Sequence, residues 1–237
     1  MGSNFLHRSM NQGQTWTAIS PDLTNGVKEG NVAFGTLATI SESHIQFGLL
    51  YTGSDDGLMH VSKDGGASWS KISTNLPQNL WVSRLVASTH KKERVYATLN
   101  GYRTDDFTTY VYASEDYGQT WNSIASNLPA SPVNVITEDP LNENILYLGT
   151  DNRLYVSLNR GKTWEDFSNG MPAVAVHDLV IQKKAKDLVV GTHGRSIYKV
   201  SLDQVQKMDD KVLASTIHIF EVKKNKKSRD WGNSWSS

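Results

Sequence analysis

The chain has 237 residues, 38% of them hydrophobic, which is enough for a substantial core. Lys and Arg together number 24 and so do Asp and Glu, so no global field draws the protein to nucleic acid or to an anionic membrane. There is no cysteine, which excludes disulfides, thiolate metal sites and cysteine nucleophiles together, and no apolar run of about eighteen residues that would insert in a bilayer.

The N-terminal "MGSNFLHRS" lacks the apolar centre of a signal peptide. "NFLHRS" and "TWTAIS" read as two short strands flanking the octapeptide "SMNQGQTW", Ser9 to Trp16. Next, "LLYTGSDDGLMHVS" from Leu49 is a β-rich pair around a turn, and it leads into "SKDGGASW", Ser62 to Trp69. "WSKIS" is a further short strand, "NLP" at Asn75 a turn, and "LWVSRLVAS" another strand. The order then recurs. "VYATLNGYRTDDFTTYVYAS" from Val95 precedes "SEDYGQTW", Ser114 to Trp121, and is followed by "WNSIA", "NLP" at Asn127 and "PVNVITED". "ILYLGTDNRLYVS" from Ile145 precedes "SLNRGKTW", Ser157 to Trp164, and is followed by "GMP" at Gly170 and "AVHDLVIQ". "DLVVGTHGRSIYKVS" from Asp187 repeats the strand pair without an octapeptide. "LDQVQKMDDKVL", Leu202 to Leu213, has helical spacing, "IHIFEV" from Ile217 alternates like a closing strand, and "KKNKKSR" from Lys223 opens a basic tail.

The octapeptide tryptophans lie 53, 52 and 43 residues apart, the pitch of one repeating structural unit. Each unit contains four short strands, termed A to D, joined by tight turns. That implies an all-β chain built as a β-propeller of four-stranded antiparallel blades, with three complete blades, parts of two more and one short C-terminal helix. The divisions expected are blades over 4–201, the helix and closing strand over 202–222 and a disordered tail over 223–237. A chain with incomplete blades at both ends reads as a piece of a longer protein, whose partners would include the remainder of that chain or an edge-paired copy, or else as a small propeller closed by its own ends.

In this frame the octapeptide is the C–D hairpin. Gly13, Gly66, Gly118 and Gly161 can take positive φ, and Asn11, Asp64, Asp116 and Asn159 can accept backbone N–H bonds in the turn. Ser9, Ser62, Ser114 and Ser157 open the hairpins, and Trp16, Trp69, Trp121 and Trp164 bury apolar area against the blade. These are structural roles. Ligand chemistry is expected on the opposite face, where the B–C turns gather Asp55, Asp56, Arg103, Asp105, Asp106, Asp151, Asn152, Arg153, His193 and Arg195. The segment Asn100 to Thr109 lengthens one of these turns, as recognition loops on rigid scaffolds often do. Histidines form no i, i+4 pair, calcium-loop spacing is not met and no nucleotide-binding glycine loop occurs, so no metal and no cofactor is expected.

The four octapeptides resemble the Asp-box family, also termed bacterial neuraminidase repeats, with consensus Ser-x-Asp-x-Gly-x-Thr-Trp. Two boxes carry the acid and two carry asparagine, and the second has Ser68 in place of threonine. "GTHGRSIYKV" from Gly191 is similar to the end of the propeller region in sortilin-like and bacterial "glycosyl hydrolase" repeat proteins. The resemblance implies a non-catalytic module of an exported bacterial protein, extracellular or periplasmic, that binds protein or glycan, and the charge balance and hydropathy add the expectation of no nucleic acid and no membrane insertion. Its alternative is a glycoside hydrolase or a fragment of one. A sialidase-like site would draw on the arginines of successive B–C turns, Arg103, Arg153 and Arg195, and an endoglucanase on a carboxylate pair among Asp56, Asp106 and Asp151. The catalytic residues are not assigned.

Overall fold

A computed structural model describes residues 3–26 and 35–221. Blade I is a two-stranded hairpin of β1 (His7–Arg8) and β2 (Thr17–Ala18). Blade II is β3 (Leu37–Glu42), β4 (Leu50–Ser54), β5 (Met59–Ser62) and β6 (Ser70–Lys71). Blade III is β7 (Trp81–Ala87), β8 (Val95–Gly101), β9 (Asp106–Ser114) and β10 (Asn122–Ser123). Blade IV is β11 (Val133–Glu138), β12 (Leu146–Thr150), β13 (Leu154–Ser157) and β14 (Glu165–Asp166), and blade V is β15 (Val176–Gln182), β16 (Asp187–Thr192) and β17 (Ile197–Ser201). All pairings are antiparallel between consecutive strands. Three four-stranded sheets and parts of two more agree with the partial propeller expected from the repeat.

The core lies between blades. β4, β8 and β12 are buried at every position, because the second strands of blades II, III and IV are covered on both faces, whereas β16 of blade V is only partly covered. Three apolar clusters fill the contacts of blade II with III, III with IV and IV with V, centred on Tyr51 and Val82, on Tyr96 and Ile136, and on Tyr147 and Val176 respectively. This close approach explains a glycine that the sequence pattern places next to a turn. Gly149 sits inside β12, where a Cβ would lie 2.6 Å from Val176 Cγ1 and 2.7 Å from Val135 Cγ1. Gly53 in β4 meets Val82 in the same way.

The four octapeptides are C–D hairpins with one hydrogen-bond pattern. In the second, Gly66 N–H donates to Ser62 Oγ (2.8 Å), Ser62 Oγ–H to Asp64 Oδ1 (2.8 Å) and Ser68 N–H to Asp64 Oδ1 (2.9 Å). The glycine and the residue before it both have positive φ, for example Tyr117 at 65° and Gly118 at 87°. Trp69, Trp121 and Trp164 differ from expectation by reaching the preceding blade, and Trp16 differs by staying 63% exposed, bonded only to the Gly13 carbonyl of its own turn. Trp164 N–H at Nε1 donates to the carbonyl of Ile124 at 2.7 Å. The Asn100–Thr109 insertion lengthens the hairpin itself. β8 has seven residues and β9 nine, joined by a 3₁₀ turn at Tyr102–Thr104.

The chain divides into two compact units, Met1–Gln206 and Lys207–Ser237. The helix expected over Leu202 to Leu213 is instead a 3₁₀ turn at Val205–Lys207 and a five-residue α1 (Asp210–Ala214). Asp209 causes the break: it is extended, and its side chain accepts the Val212 N–H at 2.8 Å, so it caps a new helix rather than continuing one. No strand forms over Ile217–Glu221, where Ile217 and Ile219 are 80% and 84% exposed, so no sheet covers that alternation. Val222 and the basic tail 223–237 lie outside the described residues.

Candidate functional site

The candidate site is assembled from one irregularity repeated in successive A strands. The pairing of β7, β11 and β15 with their B strands shifts between Val82 and Arg84, between Val133 and Val135, and between Val176 and Asp178. Each shift leaves one residue out of the ladder: Ser83, Asn134 and His177. Bulges of this kind re-aim a side chain at the rim of a sheet.

Asn134 and His177 meet the residues that end the B strands. Asn134 Oδ1 accepts from Asn100 Nδ2 at 2.9 Å, and Asn134 Nδ2 donates to Asp151 Oδ1 at 2.8 Å, a bridge that joins blade III to the B–C turn of blade IV. Asn100 Oδ1 also accepts the Tyr102 N–H at 2.9 Å, which fixes the start of the 3₁₀ turn. On blade V the rings of His177 and His193 lie 5.3 Å apart. Arg103, at the tip of the lengthened hairpin, places its guanidinium 5.1 Å from the centre of the Trp81 ring, a cation–π contact. Together these groups line a cleft of about 390 Å³ on the B–C face, which also touches Tyr102 and Ala175.

Of the ten rim residues singled out in the sequence, Arg103, Asp151 and His193 line this cleft. Asp55 and Asp56 are 8% and 3% exposed and serve the D–A connection. Asp55 Oδ1 accepts the N–H groups of Gly35 and Thr36, both at 2.9 Å, and Asp56 accepts from Asn25 N–H at 2.7 Å and Ser54 Oγ at 2.5 Å. Asp105 closes the 3₁₀ turn in a left-handed conformation. Asp106 accepts from Thr108 N–H and Tyr110 Oη, and the Thr108 bonds hold its carboxyl below the usual range. Asn152 donates to Ser131 Oγ, Arg153 pairs with Asp166 at 2.6 Å within its own blade, and Arg195 is exposed on the turn between β16 and β17. Of the three arginines, only Arg103 lines the cleft.

Asn100 and Tyr102 belong to the insertion marked in the sequence, although neither was named singly, and the sequence reading missed Trp81, Asn134 and His177. A signal for some of them was present: "VSR", "VNV" and "VHD" each set a polar residue directly after the first valine of an A strand, where an apolar run is otherwise expected. Opposite the cleft, at the A–B turns, Arg94 is 3% exposed and bonds Glu115 at 2.7 Å and Glu143 at 3.0 Å. Glu138 beside it accepts from Ser88 Oγ, Thr89 N–H and Tyr96 Oη.

Solved structures that superimpose on this fold include β-propellers. The chain superimposes on the GH74 xyloglucanase of Xanthomonas campestris with a TM-score of 0.62 and 16% identity, over 84% of this chain and 33% of that one. The extracellular domain of a one-component-system protein of B. thetaiotaomicron matches with a TM-score of 0.55 and 15% identity, over 85% of this chain and 26% of that one. The Swd1 β-propeller domain of Myceliophteria thermophila matches with a TM-score of 0.55 and 10% identity, over 74% and 55%. At such identities the likeness is one of fold, and the chain spans about a third of the xyloglucanase. No curated protein matches by sequence. The family model described as sortilin, neurotensin receptor 3, matches residues 109–236, more than half of the chain. The chain therefore belongs to the Sortilin-Vps10 family of propeller proteins.

Proposed function

We propose that the chain is a non-catalytic binding module of an exported protein, and that it takes a polar chain ligand, a glycan or a peptide, in the B–C cleft. The observation that carries this reading is the make-up of the cleft. An aromatic platform of Trp81 with Arg103 stands beside an amide bridge of Asn100 and Asn134, and blades III, IV and V all contribute. Aromatic faces, fixed amides and a guanidinium are the groups that orient polar oligomers without chemistry. Hydrolysis of a glycoside would call on two carboxylates across the scissile bond. Asp151 is the one carboxylate lining the cleft among the described residues, and Asn134 occupies one of its oxygens. The family description names a peptide receptor and one structural neighbour cleaves a glycan, so both ligand classes remain in the proposal. The export reading draws on the family and on the extracellular domain among the neighbours.

The test is calorimetric titration of the chain with xyloglucan oligosaccharides, sialosides and short peptides. Binding of one class is expected, weakened about tenfold or more by Trp81→Ala, with an unchanged melting temperature. Hydrolysis of any of these saccharides that is lost in Asp151→Asn would overturn the reading.

A further inference from the structure

The second, third and fourth Asp boxes make the same contact with the blade before them. Trp69 Nε1–H donates to the Ile19 carbonyl at 2.9 Å, Trp121 to Ile72 at 2.7 Å and Trp164 to Ile124 at 2.7 Å. The accepting residue is always three positions after the preceding box's tryptophan, just past its fourth strand. The same isoleucines seat on the box glycines. A Cβ on Gly66 would lie 2.9 Å from Ile19 Cβ, one on Gly118 2.6 Å from Ile72 Cδ1, and one on Gly161 2.8 Å from Ile124 Cδ1. One contact is thus made three times: an aliphatic plug against glycine, with its carbonyl held by the indole.

The first box has the hairpin but not the plug. Its internal bonds are complete, with Gly13 N–H on Ser9 Oγ at 2.8 Å and Thr15 N–H on Asn11 Oδ1 at 2.9 Å. Trp16, however, bonds within its own turn, to the Gly13 carbonyl at 3.1 Å, and is 63% exposed, against 3% for Trp164. A Cβ at Gly13 would meet nothing closer than the Trp16 ring at 3.8 Å.

We propose that the face of the first box formed by Gly13 and Trp16 is a docking surface for the fourth strand of another Asp-box blade in the same ring, taking an aliphatic residue three positions after that blade's tryptophan. The occupant follows from continuity with the three contacts already made. A second copy of this chain fits less well, because its own plugs Ile19, Ile72 and Ile124 are seated and the equivalent residue of the fourth box, Phe167, packs on Tyr147 at 6.0 Å. A plug that buries one side chain and forms one hydrogen bond is weak when free and effective when its blade is held next to the socket.

The probe is the peptide Trp-Asn-Ser-Ile-Ala-Ser, residues 121–126, added to the whole chain, with the tryptophan indole N–H signals followed by nitrogen-15 NMR. Trp16→Phe assigns the Trp16 signal, and unchanged signals from Trp69, Trp121 and Trp164 show that this variant is folded. The Trp16 indole should shift with a dissociation constant on the order of millimolar, and its hydrogen exchange should slow by about tenfold. The same peptide with aspartate in place of isoleucine should leave it unmoved. The proposal fails if both peptides act alike, if neither acts, or if Trp16 becomes protected with rising protein concentration alone, which would make a second copy the occupant.

Discussion

The Asp boxes tolerate asparagine because the hydroxyl at the seventh position can reverse its role. In the two acidic boxes the hydroxyl donates, Ser68 Oγ to Asp64 Oδ2 at 2.5 Å and Thr120 Oγ1 to Asp116 Oδ2 at 2.6 Å. In the other two it accepts, from Asn11 Nδ2 at 2.9 Å and Asn159 Nδ2 at 2.8 Å. The acidic boxes are therefore the pH-sensitive ones. The Ser68 hydroxyl and N–H hold the Asp64 carboxyl down to about 2. Asp116 is also lowered: partial burial opposes the shift and the Thr120 bonds outweigh it. A carboxylate with a depressed folded pKa stabilises the fold above its unfolded value, near 4, and loses that contribution as pH falls towards the folded value. The double variant Asp64→Asn, Asp116→Asn should accordingly show a smaller drop in urea midpoint between pH 7 and pH 3 than the parent chain; an equal drop would count against the assignment. The tryptophans make a second prediction at this scale. Trp164→Ala should cost about 3–5 kcal/mol in denaturant unfolding and the exposed Trp16→Ala less than about 1 kcal/mol, although the two boxes read almost alike. The turn chemistry was legible in the octapeptide itself. The difference in burial was not, because each plug comes from a residue some 40 to 50 positions earlier.

At the level of elements, short runs rich in Val, Leu, Ile and Tyr bounded by turn residues marked most of the strands of the blades, since such side chains pack well on a pleated sheet. Two misreadings show where local pattern loses to context. "LDQVQKMDDKVL" has helical spacing, yet Asp209 finds a closer partner in the Val212 N–H and restarts the helix. "IHIFEV" alternates, yet over its described residues nothing pairs with it. The polar residues after the first valine of the A strands interrupt an apolar run. They are the bulged positions that carry Asn134 and His177 to the cleft. Conversely, Gly149, next to the B–C turn in sequence, is set by packing between strands of adjacent blades. Gly149→Val should destabilise blade IV by about 1–3 kcal/mol, because its side chain would collide with Val135 and Val176 on the neighbouring A strands, and a hydrogen-exchange map should show the loss centred on β11, β12 and β15.

For the molecule as a whole, the two faces of the blades carry different kinds of polar chemistry. The B–C face has amides, imidazoles and a guanidinium stacked on an indole. The opposite face has a buried charge network in which Arg94 of blade III bonds Glu143 of blade IV and lies 3.6 Å from Glu138, whose side chain is 1% exposed. The repeat spacing gave the blade count, but neither grouping could be seen in one repeat, since each needs residues from adjacent blades. The network should act as a clamp between blades III and IV with no part in ligand contact. Arg94→Met keeps the aliphatic stem and removes the charge, leaving Glu138 buried with only its hydroxyl and amide donors. Breaking one side of a buried ion pair in this way should cost about 3 kcal/mol, or roughly 6–12 °C of melting temperature for a chain of this size. The Trp81 and Asn134 groups that line the cleft are not among its partners, so the dissociation constant of a cleft ligand, measured well below the variant's melting temperature, should stay within about twofold of the parent value. A variant that kept its stability would show that the guanidinium's desolvation offsets what its carboxylates supply. One that lost affinity together with stability would show that the two faces are coupled through β11, the strand that carries both Asn134 and Glu138.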